Sequence, residues 1–321
     1  MLSTTPLDPE PMLHRNTLLV PVDIAGGERV AHYAATLAAR SGAGLLLLHV
    51  LDSFTPSLPG PLEETDGEHA HPAQFVRERT DRLAALADEV ARSGADVETR
   101  VVSHLSAAEA ILAVVDEVRP AAVVMGTHAR GAAGRFVLGS EAAAVVRRSH
   151  APVLTVRVAA PTPDQAPRRV LVGVDLSPLA VPLVRAVAAW VHETGGVDEV
   201  VLCHAVEGGQ PRGAYGLGLG AVRRSTFPRS VADARNELDH LVARWWEGPP
   251  VRTVALDGPA GRVLLGEAGR TCADLVIVAT HGWRGVDLML VLGSVANRVI
   301  RQAACPVLTF TRVSLRRHGA V

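Results

Sequence analysis

The chain has 321 residues, 48% of them hydrophobic and 20% charged, which is too long for one typical domain and apolar enough for two with buried cores. A formal net charge of -1 argues against a general nucleic-acid or membrane surface. All 32 basic residues are arginine, so there is no lysine for a Walker-type phosphate contact or for Schiff-base chemistry.

Residues 1–16 are polar and proline-bearing, an N-terminal tail without the apolar centre of a signal peptide. No run of about 18 apolar residues occurs, so no membrane span is expected. Residues 17–22 and 45–51 are near-continuous apolar runs of strand length, the pattern of strands buried on both faces of a parallel sheet. Between them, 28–40 has helical spacing and ends at Ser41-Gly42, a C-cap signal. Residues 52–72 are long, Pro/Gly-rich and poor in core residues, which reads as a flap. A helix over 73–93, a strand at 98–103, a helix over 107–118 and a strand at 121–126 follow. The half closes with a glycine-bearing loop, a helix over 141–149 and a strand at 153–158.

Pro161, Pro163 and Pro167 mark 159–168 as a stiff linker. The second half repeats the order, with strands at 169–174, 199–205, 252–256, 275–279 and 307–311, a second flap at 207–229 and a C-terminal tail at 314–321. Within that flap the glycine-rich stretch 213–220 follows no clean strand–helix junction and reads as part of the flap, not as a phosphate loop. Alternating strands and helices predict right-handed crossovers and a doubly wound sheet in each of two α/β domains, 17–158 and 169–313. The three cysteines, Cys203, Cys272 and Cys305, lack paired metal spacing; they read as core or strand residues of a reduced, cytoplasmic protein.

One loop is written twice. Residues 125–140 read Met-Gly-Thr-His-Ala-Arg-Gly-Ala-Ala-Gly-Arg-Phe-Val-Leu-Gly-Ser, and 278–294 read Val-Ala-Thr-His-Gly-Trp-Arg-Gly-Val-Asp-Leu-Met-Leu-Val-Leu-Gly-Ser. Asp23 precedes Asp175 by 152 residues, His49 precedes His204 by 155, His128 precedes His281 by 153 and Pro152 precedes Pro306 by 154. A long, nearly constant offset means domain duplication and not a solenoid. A glycine-bearing turn after a strand, closed by Gly-Ser at a helix start, is backbone geometry that accepts phosphate. In an open α/β sheet, ligands gather at the carboxyl ends of the strands where the strand order reverses. There the end of the first strand (Pro21-Val22-Asp23, Gly173-Val174-Asp175), the end of the second (His49-Val50, His204-Ala205) and the repeated loop would meet.

The order of elements, the Asp closing the first strand and the Gly-Ser loop before a Pro-Val-Leu strand resemble the universal stress protein family in tandem form, over most of 17–157 and 169–312. The family's signature is Gly, two residues, Gly, nine residues, Gly, then Ser or Thr. The resemblance implies two tandem flavodoxin-like domains, each with a five-stranded parallel sheet, in a stress-response regulatory protein. It implies ATP or a related adenine nucleotide as ligand, with Mg2+ held mainly by the phosphates. Carried onto this sequence, the nucleotide site of the first half is Pro21, Val22, Asp23, Val50, Met125, Gly126, His128, Ala129, Gly139, Ser140, Glu141 and Ala142. That of the second is Gly173, Val174, Asp175, Ser177, Ala205, Val278, Ala279, His281, Gly282, Gly293, Ser294, Val295 and Ala296. Last strands pair across a dimer in the family; here 153–158 and 307–313 are expected to pair within one chain as a pseudo-dimer, with a homodimer also open. The flaps 52–72 and 207–229 offer a surface to a protein partner.

Each copy departs from the signature. Ala129 stands where the second Gly belongs, at a cost of about 1–2 kcal/mol if that position needs positive φ. Glu141 would repel a phosphate bound at the start of its own helix. In the second copy Ala279 replaces the first Gly, and ten residues, not nine, separate Gly282 from Gly293.

Simpler readings stand beside these. Ser140 and Ser294 are good helix caps in their own right, and so are Asp23 and Asp175. His49 and His204 read as satisfied structural residues at strand ends. Arg130, Arg135 and Arg284 are either phosphate clamps or solvated. No Ser-His-Asp order, HExxH, CxxC or acidic cluster at the loop supports an enzyme. A slow ATPase and a nucleotide-independent interaction module of the same fold remain the alternatives.

Overall fold

The computed structural model describes residues 16–24, 26–52, 72–127, 138–157, 165–207, 230–280 and 292–317. The first half runs β1 (Thr17–Pro21), α1 (Glu28–Ser41), β2 (Gly44–Asp52), α2 (Pro72–Ala91), β3 (Asp96–His104), α3 (Ala107–Val118), β4 (Ala122–Thr127), α4 (Ser140–Arg148) and β5 (Val153–Arg157). The second runs β6 (Arg169–Gly173), α5 (Ala180–Thr194), β7 (Glu199–Val206), α6 (Val231–Trp245), β8 (Val251–Asp257), α7 (Ala260–Arg270), β9 (Leu275–Ala279), α8 (Ser294–Gln302) and β10 (Val307–Phe310), and ends in α9 (Arg312–Arg317).

The apolar runs form strands because both faces of the sheet are covered, so alternate side chains must enter opposite cores. In β1, Leu18 and Val20 belong to the core that also takes in residues of α1, α2, α5 and α6, while Leu19 belongs to the opposite core with residues of α3, α4, α7 and α8. Helix boundaries follow local chemistry. Gly42 ends α1 in the left-handed region, at φ 66°, and its amide donates to the Ala38 carbonyl. Ser106 caps α3 by accepting the Glu109 amide at 3.3 Å.

The strand order is β3-β2-β1-β4-β5-β10-β9-β6-β7-β8, which reads as one half followed by its mirror order. Every neighbouring pair is parallel except one: β5 and β10 run antiparallel, with Leu154 opposite Leu308. Side chains reinforce this seam in equivalent pairs. The Thr155 hydroxyl donates to the Val307 carbonyl at 3.1 Å, and Thr309, its counterpart, donates to the Val153 carbonyl at 3.0 Å. One turn on, Arg157 Nη1 donates to the Ala303 carbonyl at 2.6 Å, and Thr311 Oγ1 donates to the Ser149 carbonyl at 2.9 Å. Ser149 and Ala303 are the C-caps of α4 and α8, so each half satisfies the helix end of the other.

The last strand is shorter than its apolar run suggests. It closes at Phe310 instead of continuing to Val313, because Thr311 and Ser314 exchange reciprocal side chain–amide bonds at 2.9 and 3.0 Å and start α9. Leu315, expected in the tail, lies inside that helix and is fully buried. The central parts of both flaps, residues 53–71 and 208–229, and the linker segment 158–164 lie outside the described residues. Among the described residues no helix is long and apolar enough to cross a membrane.

Thr155→Val and Thr309→Val each remove one buried seam hydrogen bond without changing side-chain shape. Each is expected to lower stability by about 1 kcal/mol, by similar amounts because the bonds are equivalent, as read from urea unfolding midpoints.

Candidate functional site

In each half the strand order reverses beside the first strand, between β1 and β4 and again between β6 and β9. The chain leaves both first strands in the same way. The Val22 amide extends the ladder by donating to the Leu48 carbonyl at 2.8 Å, and the His49 ring donates from Nδ1 to the Val22 carbonyl at 3.0 Å. The Val174 amide donates to the Cys203 carbonyl at 2.9 Å, and His204 Nδ1 donates to the Val174 carbonyl at 2.7 Å. Both rings are buried. The histidines therefore hold the strand ends in place, leaving Asp23 and Asp175 exposed just beyond them. Val50 and Ala205, at the ends of β2 and β7, are half-buried nearby in the sheet; Met125 and Val278 are buried in β4 and β9, with Gly126 and Ala279 half-buried after them.

Neither aspartate is a helix cap, contrary to one sequence-based expectation. Gly27 is the N-cap of α1, and its amide and that of Gly26 both donate to the Asp23 carbonyl, at 2.7 and 3.1 Å. A Cβ on Gly27 would lie 2.5 Å from Val22 Cγ1, so only glycine lets the helix start this close to the strand end. In the second half Asp175 Oδ1 accepts the Ser177 amide at 3.1 Å, Ser177 Oγ accepts the Leu179 amide at 3.1 Å, and Leu179 is the N-cap of α5. Two stacked side-chain turns thus do there what the glycine pair does in the first half. The Gly26-Gly27 pair was the available signal for this turn.

The ends of the repeated loop are described; its middle is not. His128, Ala129, Arg130, Arg135, His281, Gly282 and Arg284 all lie outside the described residues. At the helix starts, Gly139 and Gly293 are the N-caps, with φ, ψ of -57°, 156° and -54°, 142°, and neither makes a side-chain capping bond. Ser140 and Ser294 are the first helical residues, so the expectation that they serve as caps is corrected. Ser140 is exposed and Ala142 buried; Ser294 and Val295 follow Gly293 in the same way, and Ala296 is buried. Among the described residues no side chain caps these helix starts, and the first amides of a helix carry a partial positive charge.

Glu141 does not neutralise that charge at its own helix. Its carboxylate turns to the neighbouring helix, where Oε2 accepts the Ala108 amide at 2.5 Å and faces the Ser106 hydroxyl at 3.4 Å. The charge sits on the α3 dipole, which stabilises it there. The second half has Val295 at this position and serves the equivalent helix differently, with Glu207 Oε1 accepting the Ala260 amide at 3.2 Å.

The two caps differ in their surroundings. Among the described residues a Cβ on Gly139 would meet nothing within 4 Å, whereas a Cβ on Gly293 would sit 2.7 Å from the Thr280 carbonyl oxygen. That carbonyl also accepts the Gly293 amide at 3.0 Å, and the Thr280 amide donates to the Phe310 carbonyl at 2.8 Å. The base of the longer second loop is thereby tied shut against the sheet, a contact the sequence did not signal.

The cysteines divide. Cys203 is buried in β7, and burial pushes its thiol up to about 12. Cys305 is half-buried, and burial pushes it up to about 11. Cys272 is neither core nor strand: it is exposed, in a left-handed turn at φ 48° just past α7. Among the described residues no three metal-ligating side chains cluster.

Comparison with known proteins follows the duplication. The universal stress protein family model matches residues 14–157 and again 167–311. A universal stress protein of Mycobacterium tuberculosis is 32% identical over 292 residues, covering 88% of this chain and 92% of its own. One of Mycolicibacterium smegmatis is 30% identical over 302 residues, covering 91% and 95%. The crystal structure of a universal stress protein from Archaeoglobus fulgidus aligns with a TM-score of 0.65 at 20% identity, covering 92% of this chain and 96% of that one, and shows the fold.

Two outcomes follow from the site geometry. Gly293→Ala is expected to cost about 1–3 kcal/mol by driving a methyl into the Thr280 carbonyl, while Gly139→Ala changes stability by no more than about 0.5 kcal/mol; unfolding curves of the two variants measure the contrast. Alkylation at pH 8 followed by peptide mass spectrometry is expected to modify Cys272 first and leave Cys203 protected, since the thiolate is the nucleophile.

Proposed function

The chain belongs to the universal stress protein family, whose module it carries twice, and from that premise we propose a stress-response regulator that binds ATP or a related adenine nucleotide where the strand order of each half reverses. The observation that carries this reading is the start of α4 at Gly139, which has no side-chain cap among the described residues and from which the Glu141 carboxylate is drawn off to another helix. An anion there meets backbone amides and the positive end of a helix dipole, which is how phosphates are held without lysine.

The residues suit the ligand unequally. In the first half the amides of Ser140, Glu141 and Ala142 would take the phosphates, no described residue crowds Gly139, and Val22 and Asp23 would face the nucleoside. Mg2+ would rest mainly on the phosphates. In the second half Gly293 is held against the Thr280 carbonyl, so its backbone is less open to approach, although Val295 keeps that helix start neutral. The first site is therefore the stronger in this proposal, which reverses the ranking suggested by the Glu141 charge alone. Free thiols in all three cysteines accord with a reducing cytoplasmic setting.

Calorimetric titration with ATP, and mass spectrometry of nucleotide carried through purification, test the reading. The protein is expected to bind ATP, and Gly139→Val is expected to weaken the tighter site by about tenfold or more, equivalent to about 1.4 kcal/mol, with little change in melting temperature. No bound nucleotide and no heat at millimolar ATP would sink it.

A further inference from the structure

The seam between the halves is nearly symmetric, but one contact breaks the symmetry. Arg40, in the last turn of α1, reaches out of the first half into the second. Its Nη1 donates to the Ala166 carbonyl at 3.2 Å, and its Nη2 donates to the Pro167 carbonyl at 3.5 Å and to the Gly195 carbonyl. Gly195 is the C-cap of α5, and Gly196, at φ 61°, lies so close that a Cβ there would overlap the guanidinium. Counting back from the two C-cap glycines, the counterpart of Arg40 is Glu193, which is exposed and has no donor to return the grip.

The contact joins the far ends of two helices whose near ends are the two proposed ligand positions. α1 begins at Gly27, tied by its amide to Asp23 and packed on Val22. It runs 14 residues, about 21 Å, with Tyr33 and Leu37 buried in the shared core. α5 begins at the Asp175–Ser177–Leu179 turns and ends at Gly195. The two helices touch and share one core. Asp23, α1, Arg40, α5 and Asp175 therefore form a continuous mechanical series built from close-packed and hydrogen-bonded parts, and a shift at either strand end displaces a rigid helix against a directional contact.

We propose that Arg40 couples the two strand ends, so that nucleotide at one alters the affinity of the other. The ligand's identity rests on the function proposed above; the mechanical coupling does not. Arg40→Met keeps the aliphatic stem and removes the donors. In hydrogen exchange of the ligand-free protein it is expected to raise amide exchange by about threefold or more at 23–30 and 175–183, as well as at the contact itself. Arg168→Met, which removes the neighbouring Arg168–Asp198 ion pair at 2.7 Å, is expected to act only locally. Changes in Arg40→Met confined to 166–168 and 194–198 would overturn the proposal. In ATP titrations, filling the first site is expected to change affinity at the second by about fivefold or more, judged against Gly139→Val, and Arg40→Met is expected to abolish that difference. Independent sites in the unaltered protein would also overturn it. Absence of any ATP binding would remove the nucleotide reading alone, and the exchange experiment would still decide the coupling.

Discussion

The antiparallel pairing of β5 with β10 is the constraint on which the rest of the molecule depends. A five-stranded parallel sheet ends in an open edge of unpaired amides and carbonyls, a liability that must be covered or paired. Here each half supplies the cover for the other. The same contact aligns the C-caps of α4 and α8 with side-chain donors across the seam, Arg157 and Thr311. One pairing thus closes two edges and satisfies two helix ends, and it requires both copies of the duplicated module to be present.

Duplication preserved the scaffold more faithfully than the site. The strand-end fastening by His49 and His204 is the same in both halves because it stabilises backbone, and backbone geometry is shared. The turns that follow differ in chemistry while reaching the same place, with a glycine pair in one and Asx and Ser turns in the other. At the helix starts the halves diverge in the property that matters to an anion. Among the described residues nothing crowds Gly139, whereas Gly293 is pressed onto a carbonyl. A family likeness in sequence therefore corresponds to two helix starts with different backbone surroundings.

A charged side chain with a choice of partners is not placed by its neighbours in sequence. Glu141 follows Gly-Ser in the sequence, and its own helix is the nearest positive end along the chain. In space the start of α3 comes within reach, and its Ala108 amide takes the carboxylate. Likewise Ser140 and Asp23 have the composition of caps, but the caps are glycines, because close packing against a strand end or an open approach outweighed a side-chain hydrogen bond. The last strand was read too long for a related reason: an apolar run does not announce that Thr311 and Ser314 will pair with each other's amides.

By itself the sequence determined the fold class, the duplication and nearly every strand and helix, since these rest on periodicity and on glycine, proline and serine punctuation within a few residues. It also located the strand ends that flank each order reversal. Only the tertiary structure decided where Glu141 points, how Gly293 is tied to Thr280 and that Arg40 crosses to Gly195. Those outcomes depend on groups brought together from segments up to 155 residues apart, and competition among such groups for the same hydrogen bonds leaves no local pattern in the chain.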